Sequence, residues 1–190
     1  MKKSLFAAAL LLAACQQEEG GNASAADSNG AGPKAAARGE QPKAHLLDVL
    51  GGSADHKTLA NAVKAAGLTE TLSGAQPYTL FAPTEGAFGK LAPGAANGLL
   101  APEAKGQLVA LLTGHIVPGM VTAEDLGRAI ERGKGKAELA TVGGSNLSFA
   151  RDGESIVVTD AAGGRARVAG AERLASNGVV HSVDGVLRGR

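Results

Sequence analysis

The sequence predicts an α+β domain, on three observations. Past an N-terminal apolar run, bulky apolar residues resume only at Leu46 and leave about 145 residues, the size of one domain with one core. Through the first part of that stretch they recur at helical spacing. After Gly135 they fall instead into short runs separated by Gly-, Asp- and Ser-rich turns. Helices followed by a meander of strands is the ordering of an α+β domain, and no period of internal repetition interrupts it.

The elements follow in order. Leu46, Leu47, Val49 and Leu50 bunch at helical spacing; Leu59, Ala62, Val63 and Ala66 form a second stripe that Gly67 should stop. Residues 78–82 read as extended and meet Pro83. Proline keeps its predecessor out of the helical region, so Ala82 should stay extended and Thr84 can cap a helix holding Ala87, Phe88 and Leu91. Pro102 suits the first turn of a helix that places Leu108, Leu111 and Leu112 on one face and runs to Gly114. Thr122 with Asp125 three residues on starts the next helix, striped by Leu126 and Ile130. Strands are expected around Leu139 and Thr141, Leu147 and Phe149, residues 156–158, Val168 and residues 179–183, with Asn177-Gly178 as a positive-φ turn before the last.

Ahead of the domain, Lys2 and Lys3 precede an apolar run of roughly ten residues, the pattern of an export signal and too short to span a bilayer. Cys15, the single cysteine, directly follows Leu12-Ala13-Ala14. This is similar to the lipobox of bacterial lipoproteins, which implies cleavage before Cys15 and acylation of it. Stable anchoring takes two or more chains, each buried methylene contributing about 0.8 kcal/mol. A lone cysteine also has no disulfide partner in an oxidising compartment. An ordinary cleaved signal leaving a free thiol is the alternative. Gln16 in the next position, where an aspartate would retain the protein, implies the outer membrane in a diderm host. No bulky apolar side chain occurs from Gln16 to Lys43, so this stretch cannot offset its ordering entropy and reads as a tether reaching roughly 30 Å. The expected organisation is thus a signal over residues 1–14, a lipidated N-terminus and linker over 15–44, and one domain over 45–190.

Composition narrows the function. A net charge of +1 provides no field to hold a dense polyanion, and 3% aromatic residues leave few stacking platforms, so nucleic acid is excluded as a partner.

Two segments carry a resemblance. The first is Tyr78-Thr79-Leu80-Phe81-Ala82-Pro83-Thr84-Glu85-Gly86-Ala87-Phe88, and the second is Ala175-Ser176-Asn177-Gly178-Val179-Val180-His181-Ser182-Val183-Asp184-Gly185-Val186-Leu187. Each resembles a signature stretch of fasciclin domains, and Leu111-Leu112-Thr113-Gly114-His115-Ile116-Val117-Pro118-Gly119 resembles the segment between them. Phe81, Pro83, Thr84, Phe88, His115, Asn177, Gly178, His181 and Asp184 are the motif positions. The resemblance implies N-terminal helices packed on a wedge of about seven mainly antiparallel strands. Family members often have Asn-Asp in place of Glu85-Gly86, a tyrosine at Gly114 and an apolar residue at Ser182. The integrin-recognition sequences of animal relatives would fall near Glu172-Arg173-Leu174, which does not match them, so integrin binding is not implied.

Catalytic and metal chemistry find little support. His115 and His181 are the tempting pair, but the chain has no His-x-His, no His-Glu-x-x-His and no second cysteine. They are expected to be partly buried, with ring nitrogens on backbone groups, and Asp184 before Gly185 to accept backbone donors in a turn. Gly-x-Ser-x-Gly is absent, and on a strand His181 and Ser182 face opposite sides, so they form no nucleophile–base pair. No cofactor is expected. Arg128, Arg132, Lys134 and Lys136 form a basic cluster readable either as a solvated helix end or as a polyanion-binding patch. The expectation is a monomeric, non-catalytic binding or adhesion module, tethered outside the cytoplasm, that engages an envelope or extracellular protein or polysaccharide. The alternative is an envelope hydrolase or a carrier of small apolar ligands.

Overall fold

A computed structural model describes residues 42–91 and 94–188, with the side chains of residues 96 and 97 excepted. The export signal, Cys15 and most of the linker lie outside the described residues. The chain opens with α1 (Leu46–Gly51), a 3-10 turn over Ala54–His56, α2 (Lys57–Ala66) and α3 (Thr69–Ser73). Leu46 and Leu50 are the buried positions of α1, and Leu59, Ala62, Val63 and Ala66 those of α2, so the apolar stripes face inward as their spacing requires. Gly67 ends α2 in the left-handed region at φ 77°, where a side chain would be strained.

The chain then enters β1 (Tyr78–Pro83), and Thr84 caps α4 (Glu85–Gly89) by accepting the Ala87 N–H. That helix is shorter than the sequence implied and stops before Leu91. After α5 (Ala95–Leu99), Pro102 begins a 3-10 turn (Pro102–Ala104) that leads into α6 (Lys105–Thr113). Next come β2 (Ile116–Pro118) and α7 (Ala123–Arg132). The remainder is strand: β3 (Lys136–Ala140), β4 (Asn146–Asp152), β5 (Ser155–Thr159), β6 (Arg165–Arg167), β7 (Arg173–Ala175) and β8 (Gly178–Val183).

The described residues therefore form eight strands, in two four-stranded sheets ordered β2-β1-β8-β7 and β3-β4-β5-β6. The second sheet is an antiparallel meander, as the alternating segments predicted. The first is mixed, because β1 and β8 run parallel in register from Tyr78 opposite Gly178 to Pro83 opposite Val183. Within the helical half, β1, expected as an extended run, and β2, which was not expected, pair with each other, and β1 also pairs with the last strand. Val168 makes only an isolated bridge to Val183, and the strand beside it is β6.

Two cores result, one on each face of the mixed sheet. Leu80, Ala82, Ile116 and Val180 join Leu46, Leu59, Val63 and Leu112 beneath the helices. Phe81, Val117 and Val183 turn the other way, against Leu126 and Ile130 of α7 and Leu147, Phe149 and Val158 of the meander. Successive residues of a strand point to opposite faces. Covered on both sides, β1 and β8 are buried almost continuously instead of at alternate positions.

A turn joins β7 to β8 at residues 176–177, but the positive φ expected at Asn177-Gly178 is corrected. Neither residue has positive φ. Glycine is required at 178 for space: a Cβ there would lie 2.2 Å from the Tyr78 carbonyl oxygen and 2.7 Å from Leu46 Cδ1. The close approach of β1 and α1 to the start of β8 is what excludes a side chain.

Candidate functional site

Parallel pairing makes neighbours of the two motif segments. His181 on β8 lies opposite Phe81 on β1, their rings stacked at 5.3 Å and 18°. Phe81 also meets Phe149 at 5.1 Å, joining the mixed sheet to the meander. His181 Nε2 donates to the Val121 carbonyl at 2.8 Å. Beside it the Thr79 hydroxyl donates to the Gly119 carbonyl and accepts the Val121 N–H, so β1 and β8 together hold the loop that leads to α7.

His115 bonds through both ring nitrogens: Nδ1 donates to the Leu111 carbonyl at 2.8 Å, and Nε2 accepts the Leu187 N–H at 3.0 Å. One nitrogen must donate and the other accept, which requires the neutral ring with its proton on Nδ1. Both histidines are fully buried instead of partly so. Burial pushes each below the ordinary histidine value, against the pull of the carbonyl each one meets. His56 is buried likewise and lowered first by burial, then by Arg173.

The other motif residues also bind backbone. Asn177 Oδ1 accepts the Leu46 N–H at 2.9 Å, and Nδ2 donates to the Leu72 and Gly74 carbonyls at 2.8 and 2.9 Å. Asp184 accepts the Arg167 N–H at 2.7 Å and pairs with Lys90 at 3.3 Å, and these contacts, the first above all, hold its carboxyl below the usual carboxylate range. Ala87 and Pro83 are buried and Phe88 is half-buried, packed against the helical core. Glu85 accepts both the N–H and the hydroxyl of Thr58 at 2.6 and 2.7 Å, linking α4 to the first turn of α2. Glu172 accepts the Ala123 N–H at 2.7 Å, at the start of α7.

The basic cluster lies on α7 and the turn into β3. Arg128 pairs with Glu124, Lys136 with Glu138 at 3.3 Å, and Arg132 Nε donates to the Arg128 carbonyl at 3.4 Å. Lys134 occupies the turn at φ 55°. Glu131 engages Arg151 at 3.6 Å. The surface is of mixed charge, with Arg132 and Lys134 lacking an acidic partner among the described residues.

A second charged surface escaped the sequence reading. Two adjoining hollows, of about 340 and 370 Å³, share Lys90, Arg165 and Gly185. Arg167 lines one and Arg188 the other. A signal was present: Arg165 and Arg167 are two apart on a strand and so share a face, with buried Ala166 between them. Pairing that strand with the end of the second motif, far along the chain, takes the fold.

Among the described residues no group of three His, Cys, Asp or Glu side chains could hold a metal ion. Nor is any described helix long and apolar enough to cross a membrane.

Comparison with known proteins accords with this geometry. The Fasciclin domain family model matches residues 54–188. Protein sll1483 of Synechocystis sp. is 41% identical over 143 residues, covering 75% of this chain and 72% of the relative. Transforming growth factor-beta-induced protein ig-h3 of Sus scrofa is 33% identical over 147 residues, 77% of this chain but only 20% of the relative. In the solved structure of a FAS1 domain pair from the insect cell adhesion molecule Fasciclin I, the fold recurs with a TM-score of 0.67 at 20% identity, over 77% of this chain and 51% of that one. The chain belongs to the fasciclin domain family, and its α+β fold is that of the family.

Proposed function

We propose that the protein is a binding or adhesion module, exported and held at the cell envelope by a lipid on Cys15, which engages an envelope protein or glycan without turning it over. Family membership carries this reading, and the insect relative of the same fold is described as a cell adhesion molecule. The site geometry supports it, because His115 and His181, the two histidines of the motif segments, are enclosed and bonded to backbone groups. A general base must reach the proton it abstracts, and these rings face the interior.

The anchor is tested by Cys15→Ser, which should abolish palmitate incorporation and move the protein from the membrane to the soluble fraction. Equal labelling of both proteins would contradict it. The binding role is tested by titrating the full-length protein onto isolated envelopes, where saturable uptake is expected and a linear, unsaturable signal would count against it.

Carriage of a small apolar ligand has one observation in its favour. A hollow of about 340 Å³ is lined by Leu91, Leu99, Leu111 and Val186 with Arg188 at its edge, within the size range of small-molecule sites. A fluorescent fatty acid would bind with one-to-one stoichiometry if this hollow were the working site.

A further inference from the structure

We propose that the groove formed by Lys90 after α4, the β5–β6 segment and the C-terminal residues binds an acidic polysaccharide, with Arg165 and Arg188 pairing its carboxylates. This rests on the reading of the protein as a binding module and names the ligand class and the site.

Charge accounting comes first. Lys90 is paired with Asp184, and Arg167 with Asp152. Among the described residues the Arg165 and Arg188 guanidiniums have neither an acidic partner nor a hydrogen-bond acceptor, and both side chains are exposed. The groove therefore carries two cations in excess of those its lining acids neutralise. A guanidinium presents a planar fork that matches a carboxylate in two parallel hydrogen bonds. The cluster on α7 gives the same count, Arg128 and Lys136 being paired and Arg132 and Lys134 having no acidic partner among the described residues, so the frame and shape of the groove, not charge alone, single it out.

The backbone bearing these arginines is braced. Asp160 is buried, and its carboxylate accepts the Gly164 N–H and the Arg188 N–H, each at 2.7 Å. One side chain thus fixes the residue before Arg165 and Arg188 itself. Gly185 closes the floor: a Cβ there would come 2.9 Å from the Arg165 carbonyl oxygen, so only glycine lets the segments meet. With the backbone already fixed, only the two side chains remain to be ordered when a ligand arrives.

Shape and chemistry then choose the ligand. Two adjoining hollows suit an extended chain with repeated charges better than a single ion. Asp152 and Asp184 are half-exposed, at 56% and 43%, and retain lone pairs for sugar hydroxyls. No aromatic side chain lines either hollow, which removes the stacking that single-stranded nucleic acid uses. With a net charge of only +1 the chain lacks the field that holds a densely charged polyphosphate. A polyuronate, with one carboxylate and two free hydroxyls per sugar and a lower charge density than polyphosphate, satisfies all of these conditions.

The test is calorimetric titration of the full-length protein with polygalacturonate, and with dextran and polyphosphate of matched length. Polygalacturonate should bind saturably and more tightly than polyphosphate, and dextran should not bind. Arg165→Gln with Arg188→Gln should weaken polygalacturonate binding by about tenfold for each arginine, the scale of a lost charged hydrogen bond. The pair Arg132→Gln and Lys134→Gln removes the same charge from α7 and should leave affinity within about twofold, since a distant charge acts only through the screened general field. Both variants alter exposed side chains, and an unchanged thermal midpoint verifies their fold. Equal losses in the two variants, equal binding of dextran, or tighter binding of polyphosphate would overturn the proposal. Saturable binding to isolated envelopes without affinity for polygalacturonate would overturn this assignment and leave the binding-module reading standing; absence of both would remove the two together.

Discussion

The amide of Asn177 meets backbone groups of residues 46, 72 and 74, so a single side chain ties α1 and the end of α3 to the start of β8. Truncation to alanine removes all three bonds and strands their buried partners, at about 1 kcal/mol per bond and roughly 3 kcal/mol in sum. The denaturant midpoint of Asn177→Ala should fall accordingly, and a change within experimental error would mean that water replaces the amide without loss. Beside it, Gly178→Ala should cost about 1–3 kcal/mol through overpacking against Tyr78 and Leu46. An unaltered thermal midpoint would show that β1 stands farther from β8 than the structure places it. The sequence made this pair conspicuous but suggested the wrong reason. Asn-Gly commonly signals positive φ, whereas here asparagine is needed for its amide and glycine for its lack of volume, and both reasons lie in segments remote in sequence. His115 and His181 were legible as backbone-bonding residues, because the sequence has no His-x-His, no His-Glu-x-x-His and no second cysteine to complete a metal site; their complete burial was not, since it depends on covering strands and helices.

Among the elements, α7 was the most legible. Thr122 and Asp125 form a reciprocal cap, each side chain bonded to the other's backbone N–H, and the bond from Thr122 holds the Asp125 carboxyl below its ordinary range. Thr122→Ala should destabilise the protein by about 1 kcal/mol, readable as a lowered denaturant midpoint. No effect would mean that Glu172, on the Ala123 N–H, suffices to start the helix. Gly67 and Thr84 were legible for the same reason: caps are local chemistry. The three-residue strands β2, β6 and β7 were not, because three residues carry no period, and pairing with a neighbour is what makes them strands. The groove inherits that limit, being built from β6, the end of β8, the segment after α4 and the C-terminal residues.

For the whole molecule, three buried neutral histidines set the response to acid. His56, His115 and His181 each lie below the ordinary value of 6.5, with burial as the main cause. The facing charges are Asp55, Glu85 and Arg173 for His56, Asp160 for His115 and Glu172 for His181. Above pH 6.5 the rings are neutral in both states. As pH falls below that value the unfolded chain takes up protons that the folded protein does not, so stability falls until the lower folded values are passed. Asp125 and Asp184, lowered from 3.8, begin a second loss in the same direction near that pH. The free energy of unfolding should thus be level above about pH 7 and decline through the range just below 6.5. A level profile down to about pH 5 would mean that the rings accept protons without cost.

Binding without turnover is tested most directly by one measurement on the full-length protein. Isolated envelopes are titrated with it to saturation, the captured ligand is eluted, and its mass is compared with that of ligand never exposed to the protein. The predicted result is a saturable isotherm, a ligand of unchanged mass, and affinity in His181→Ala reduced only as far as the fold is destabilised. A ligand cleaved or modified in proportion to time, with that conversion lost in a folded His181→Ala protein, would contradict the proposal of binding without turnover.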